Sequence, residues 1–324
     1  VNKILITGGA GFIGSHLTDY LLEKGYQVTV IDNLSNGSAD YLRDALNNPR
    51  FSYYEGTVLD RVLMEELIKE NDIVYHLAAV LGVKNTVDDP LKVIEGNIDG
   101  TRVVLEIAYQ YSKKVIFAST SEIYGKNPEL PYTEESNRIL GDPSIHRWCY
   151  ATAKALDEHM CFAYAKKGLP VTVVRFFNAF GPRQDHSAYG GVIPIFIKKA
   201  LMNEKLPIHG DGTQLRCFGF IQDIMKGLET AMHQNANNQA FNLGATEKIT
   251  ILELAKKIIT LTGSNSEHEF VPYEVAYGEG FEDIPARLPS LDKANKILGY
   301  QTKTSLEEGL IKTIKWYETK LLKR

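Results

Sequence analysis

Apolar residues in the first part of the chain follow two rhythms. Lys3-Ile4-Leu5-Ile6-Thr7 and Val28-Thr29-Val30-Ile31 are short, strand-forming runs, whereas Ile13, Leu17, Leu21 and Leu22 recur at helical spacing between Ile13 and Lys24. Gly8-Gly9 stops the first run, Gly25 stops the helix and Asp32 ends the second strand, so the segment reads as one β-α-β unit. The alternation continues. Ile73–Leu77, Val115–Ala118 and Val171–Arg175 read as strands, and helical patterns at Leu91–Tyr111 and Tyr150–Lys167 separate them. Strands alternating with helices of this length predict an α/β fold, a doubly wound parallel sheet of Rossmann type with helices on both faces.

After about Asn178 the texture changes. Gly181-Pro182, Gly190-Gly191, Pro194, Gly210 and Gly212 punctuate shorter elements. This predicts a dinucleotide-binding domain over residues 1–178 and a smaller substrate-binding domain over 179–324. A segment near 219–244 returns to the first, with Ala240-Phe241-Asn242-Leu243 as a further strand of its sheet. A cleft between two such parts is a favoured place for a ligand.

Composition narrows the function. Forty acidic against thirty-six basic side chains give a net charge of −4 over 324 residues, which argues against a nucleic-acid-binding surface. No apolar run approaches a membrane span and no secretory h-region precedes the first strand, so the expectation is a cytoplasmic protein. Cys149, Cys161 and Cys217 have no metal-type spacing, and neither a disulfide framework nor a metal site is expected.

Gly9-Ala10-Gly11-Phe12-Ile13-Gly14 satisfies G-x-G-x-x-G, and Gly8, Gly11 and Gly14 fit the related G-x-x-G-x-x-G. Gly9 is expected to form the tight turn, Gly11 to admit a pyrophosphate and Gly14 to let helix and strand pack closely. The free N–H groups at the helix start then receive the anion. Asp32 ends the next strand, where a carboxylate can accept from ribose hydroxyls and repel a 2′-phosphate. Asn33-Leu34-Ser35 brings no arginine, so NAD is expected rather than NADP.

Tyr150-Ala151-Thr152-Ala153-Lys154 sets a phenol and an ammonium one helical turn apart. A neighbouring cation favours the phenolate, so Lys154 and the positive nicotinamide ring are together expected to lower the pKa of Tyr150 and make it a base for a sugar hydroxyl. Tyr20–Lys24 and Tyr109–Lys113 share that spacing, so spacing alone selects nothing. The setting selects Tyr150: Ser119-Thr120-Ser121-Glu122 closes a predicted strand, at the edge where parallel sheets hold ligands. Thr120 can relay a hydrogen bond to the same hydroxyl.

Taken together, Thr7–Gly14, Asp32-Asn33-Leu34, His76-Leu77-Ala78-Ala79, Ser119–Gly125, Tyr150–Lys154, Arg175–Asn178, Gly181-Pro182-Arg183 and Gly210–Thr213 resemble the extended short-chain dehydrogenase/reductases of the NAD-dependent epimerase/dehydratase group. The resemblance runs from end to end. It implies NAD held by Gly8, Gly11, Phe12, Ile13, Gly14, Asp32, Asn33, Ser35, Leu77, Ala78, Ala79, Tyr150 and Lys154. It also implies transient oxidation of a nucleotide sugar at C4 by Tyr150 with Thr120 and Lys154. Ser121, Asn178, Arg183, Val192, His209, Arg216 and Arg287 are the implied substrate contacts, and a homodimer through Leu91–Tyr111 and Tyr150–Lys167 the implied assembly. The chain departs from the family at Gly56-Thr57, where Gly-Asp is usual, and at His209, where an aromatic residue often precedes Gly-Asp-Gly.

The resemblance leaves three reactions open after C4 oxidation: decarboxylation of a uronate, 4-epimerisation and 4,6-dehydration. Ser121-Glu122 resembles UDP-glucuronate decarboxylases and also GDP-mannose-type dehydratases, while Arg147-Trp148-Cys149-Tyr150 and Tyr277–Asp283 with Arg287-Leu288-Pro289 look like the decarboxylase and apiose/xylose synthase branch, so the best expectation is a UDP-glucuronate decarboxylase-like enzyme. Glu122 is then a fourth catalytic candidate. UDP-hexose 4-epimerase is the alternative, and a non-catalytic NAD-binding regulator the remote one.

Overall fold

The computed structural model describes residues 2–184, 191–278 and 281–321. Gly190, and Glu279 and Gly280 of the Tyr277–Asp283 segment, lie outside them. The strands β1 (Lys3–Thr7), β2 (Gln27–Asp32), β3 (Phe51–Glu55), β4 (Ile73–His76), β5 (Lys114–Thr120) and β6 (Val171–Phe176) join Gln239–Leu243 in a seven-stranded sheet. Its order is Gln239–Leu243, β6, β5, β4, β1, β2, β3, and every pairing is parallel. The order reverses beside β1, so the crevice for a ligand opens at the carboxyl ends of β1 and β4.

Side chains on successive positions of β1 enter opposite cores. Ile4 and Ile6 pack with Leu17 and Leu21 of α1 (Phe12–Glu23), while Leu5 packs with Met64 and Leu67 of α2 (Arg61–Glu70). A short α3 (Val83–Asp88) leads into α4 (Pro90–Gln110), started by the Asp89 cap and Pro90, and α5 (Cys149–Lys166) packs beside it. The predicted elements recur within a few residues. β3 and α2 were not read from the pattern. Ser52, Tyr54 and Glu55 of β3 face solvent at the sheet edge, and α2 is announced chiefly by its Asp60 cap, which accepts from Val62 and Leu63 at 3.1 Å each.

A buried polar network locks α5 to the sheet. Glu158 of α5 receives Nε and Nη2 of Arg175 on β6 at 2.9 and 2.6 Å, and the Ser119 hydroxyl of β5 at 2.5 Å. Arg175 also donates to the Tyr124 hydroxyl at 2.9 Å, which donates to Asn242 at 2.7 Å. The ends of β5, β6 and Gln239–Leu243 are thereby fixed relative to α5.

The later part of the chain builds small sheets over the carboxyl edge. Leu215–Cys217 pairs antiparallel with Lys248–Thr250 and parallel with Ala286–Arg287, setting Arg216 directly beside Arg287. Leu206–His209 pairs with His268–Val271. Among the described residues no helix is long and apolar enough to cross a membrane.

Candidate functional site

The glycine-rich turn is shaped by what lies against it. Gly8 has φ +73°, and a Cβ there would lie 2.7 Å from the Ala78 nitrogen. The tight turn is therefore carried by Gly8 rather than by Gly9, whose missing Cβ makes room for Val30 of β2 at 2.5 Å. At Gly14 a Cβ would stand 2.2 Å from the Gly8 carbonyl oxygen, so no larger residue lets α1 approach β1 this closely. Gly11 caps α1 without a side-chain bond, and the first turn, with Phe12 and Ile13, holds no acid. Its N–H groups are left for an anion.

Asp32 accepts from the Ala10 amide at 2.9 Å and the Leu34 amide at 2.8 Å, which orients its carboxylate at the end of β2. Burial raises its pKa against those two bonds. Asn33 holds the next turn by accepting from the Ser35 amide at 3.1 Å. Beyond β4, Leu77 and Ala78 are fixed to Thr7, through its carbonyl at 3.1 Å and its hydroxyl at 3.2 Å, and Ala79 follows. A cradle that a Cβ would fill, an uncapped helix start and an oriented carboxylate fit NAD.

A cavity of about 900 Å³ opens beside this edge, lined by Glu122, Arg147, Tyr150, Asn178, Val192, His209, Arg216 and Arg287 among others. Thr120 ends β5 and its hydroxyl accepts from the Glu122 amide at 3.2 Å, which leaves its O–H free to donate elsewhere. Arg147 Nη1 donates to one Glu122 oxygen at 2.5 Å and Arg287 Nη1 to the other at 3.2 Å. Burial works to raise the pKa of Glu122, but Arg147, Arg287 and Arg216 outweigh it and hold the carboxyl at about 2. Arg287 also reaches the Ser121 hydroxyl at 3.4 Å and Asn178 Oδ1 at 3.0 Å. Asn178 has φ +42° and anchors itself through Nδ2 to the Cys217 carbonyl at 2.9 Å.

Arg216 is buried beside Arg287, and its two bonds to Asp283 are long, 3.3 and 3.5 Å. Burial and the neighbouring Arg287 bring its pKa down to about 10 against the pull of Asp283. Such a guanidinium gains from any further anion in the cavity. At the far wall His209 bonds Tyr277 at 2.8 Å, and Tyr277 stacks on Phe281 with ring centroids 4.2 Å apart. Tyr277 and Phe281 thus add aromatic surface to the wall that His209 begins.

Three expectations need correction. Arg183 does not line the cavity: it pairs with Asp19 of α1 at 2.7 Å. Tyr150 lines the cavity, but without the nicotinamide ring its pKa is raised, first by burial and then by Glu122 and Asp157, and Lys154 does not offset them. Lys154 is turned elsewhere, with Nζ 4.5 Å from the Phe117 ring centre and 4.0 Å from Asp157 Oδ2. Sequence reasoning also missed Arg147, Tyr273 and Asp283 as site residues. Arg147 carried one usable signal, a cation three positions before the selected tyrosine, at the turn that starts the same helix.

The model of the "NAD dependent epimerase/dehydratase family" matches residues 4–244. A UDP-N-acetyl-alpha-D-glucosaminuronate decarboxylase of Bacillus cytotoxicus is 44% identical over 97% of this chain and 97% of its own. UDP-glucuronic acid decarboxylase 1 of Danio rerio is 38% identical over 98% of this chain and 73% of its own. Among solved structures, a UDP-glucose 4-epimerase of Thermotoga maritima superimposes with a TM-score of 0.89 at 35% identity, covering 98% of this chain and 99% of that one. With the cofactor cradle and the Tyr150–Lys154 helix in place, the chain belongs to the NAD-dependent epimerase/dehydratase family and is an NAD-dependent enzyme.

Proposed function

We propose that the enzyme decarboxylates a UDP-linked hexuronate by way of transient oxidation at C4. The observation that carries this reading is the convergence of Arg147, Arg287 and Arg216 around Glu122 in the cavity that also presents Tyr150. Three arginines against the two carboxylates of Glu122 and Asp283 leave the cavity net positive for an anionic substrate. Arg287 is the looser of the two arginines on Glu122 and stands nearest Ser121, so it is assigned the C6 carboxylate. Arg216 and Asn178 are assigned the diphosphate, and Val192, Tyr277 and Phe281 the base.

Tyr150 takes the proton of the C4 hydroxyl, with Thr120 donating to the same oxygen and Lys154 supplying positive charge. The glycine-rich turn and Asp32 would hold NAD, which would supply a hydride acceptor for the oxidation and a hydride donor for the closing reduction. Oxidation at C4 makes the C6 carboxylate that of a β-keto acid. The C5–C6 bond then breaks, its electron pair passes into the C4 carbonyl, CO2 leaves and C5 takes a proton. Glu122, fixed by Arg147, stands beside that centre.

Residues 179–218 and 245–321 act as the substrate-binding part in this reading. The enzyme is cytoplasmic and a homodimer through α4 and α5, where Leu91 and Leu156 remain 65% and 45% exposed. A monomer by light scattering removes the dimer. The relatives named decarboxylases support the reaction. A second reading, 4-epimerisation, draws on a UDP-glucuronic acid 4-epimerase of Bacillus cereus, which superimposes with a TM-score of 0.88 at 29% identity, covering 98% of this chain and 99% of that one.

Mass spectrometry and NMR of the products from UDP-glucuronate, its 2-acetamido counterpart and UDP-glucose test the choice. The expected result is CO2 loss from a uronate and none from UDP-glucose. An unchanged mass with inverted C4 makes the enzyme an epimerase.

A further inference from the structure

Asp157 is an acid that the scheme above does not use. It lies on α5 one turn beyond Lys154, and its side chain has no exposed surface. Thr101 of α4 is the polar side chain at its carboxylate, and burial raises the pKa of this acid while Lys154 and Thr101 work to lower it. The Lys154 ammonium, itself buried, stands 4.0 Å from Asp157 Oδ2 and against the Phe117 ring of β5. Tyr150, Lys154 and Asp157 follow one another along one face of the helix.

The other titratable groups around this pair contribute little charge. Glu158 is matched by the two-pronged contact of Arg175. His76, from β4, bonds Thr7 at 2.8 Å and Thr101 at 3.3 Å, and burial with Lys154 nearby keeps it neutral, its pKa lowered to about 3. Cys161 is fully buried, and its thiol is pushed up by that burial and by Asp157. Glu122, held between Arg147 and Arg287, acts on Tyr150 from the cavity side, while Asp157 and Lys154 face each other behind it, and the buried carboxylate opposes the phenolate both directly and by drawing the ammonium toward itself.

We propose that Asp157 is a positioning residue that holds Lys154 against Phe117 and sets the pH at which Tyr150 yields its proton. The inference rests on Tyr150 being the base, and on nothing about which sugar is used. In Asp157→Asn and Asp157→Ala, two neutral replacements with different packing demands, the acidic limb of kcat/KM moves down by about one pH unit. At a fixed pH on that limb the enzyme is then about tenfold more active. Asp157→Glu restores the wild-type limb.

A second readout needs no turnover. The phenolate absorbance of each NAD-loaded protein, minus that of its Tyr150→Phe counterpart, titrates Tyr150 alone, and the neutral variants show the same downward displacement. Unmoved or upward-moved titrations in folded Asn and Ala variants overturn the proposal. Tyr150→Phe retaining turnover instead removes the reading of Tyr150 as base, whatever the absorbance titration shows.

Discussion

The glycine-rich turn and the arginine-lined cavity share the carboxyl edge of one sheet, yet they are built by opposite means. The turn is made of backbone within the consecutive residues Gly8–Gly14, tightened by absent side chains at Gly8, Gly9 and Gly14 and oriented by the one carboxylate of Asp32. The cavity is made of charged and aromatic side chains from six separate places, residues 122, 147, 178, 216, 277 and 287, brought together by strand pairing and by loops. The first has the same shape whatever the sugar. The second holds two adjacent arginines in register at the cost of like-charge repulsion, which Glu122 and Asp283 offset. Generality resides in main chain and selectivity in side chains, so each can be disturbed with the other left intact.

The sharpest separation is Tyr150→Phe. It removes the proton acceptor on the cavity side without touching the turn, so turnover is expected to fall by about a thousandfold with NAD content unchanged. Loss of NAD from this variant would show that the two regions are not separable. Arg287→Ala comes next. It strips Ser121, Glu122 and Asn178 of one shared donor, and the dissociation constant of the uronate is expected to rise about a hundredfold while that of UDP-glucose, which lacks the carboxylate, rises far less. Equal increases for both would place Arg287 on the diphosphate.

Acid distinguishes the regions as well. The carboxyl of Glu122 lies at about 2 when folded, below its ordinary value, so its ion pairs stabilise the native state above about pH 4.5. That contribution is lost as pH falls from there toward 2. Thermal unfolding across this window should show a steeper loss for wild type than for Glu122→Gln, and parallel curves would break the assignment. On the other side, Gly14→Ala forces a methyl against the Gly8 carbonyl. It should weaken NAD binding about tenfold or more, measured by cofactor retention on gel filtration, with an overpacking cost of about 1–3 kcal/mol.

The contrast in construction also explains what the sequence reveals. The cofactor side is local, and its strands, helix and Asp32 are legible because turn, periodicity and carboxylate occur in one β-α-β unit. The return of Gln239–Leu243 to the sheet was legible too, from its apolar run. The cavity was legible only as separate residues. Nothing in the pattern says that Arg216 and Arg287 stand side by side, because their pairing depends on short strands of three and two residues. Nor does helical spacing say which way Lys154 turns. Tyr150 lies one turn before it and Asp157 one turn after it, and in this structure its ammonium stands 4.0 Å from the buried carboxylate.

Arg183 gives the weakest effect and the cleanest check on the boundary between the two regions. Its place after Gly181-Pro182 made it a candidate for the sugar nucleotide, but its guanidinium meets Asp19 of α1. Both partners keep some exposure, 19% and 29% of their side chains, so the pair is worth at most about 1 kcal/mol. Burial raises the pKa of Asp19 despite Arg183, which is consistent with a contact that does little more than offset its own desolvation. Arg183→Ala should leave KM for the sugar nucleotide within about twofold of wild type and lower Tm by a few degrees at most. A large rise in KM would mean that the guanidinium leaves Asp19 when substrate enters, and would extend the cavity's arginine set past its present lining.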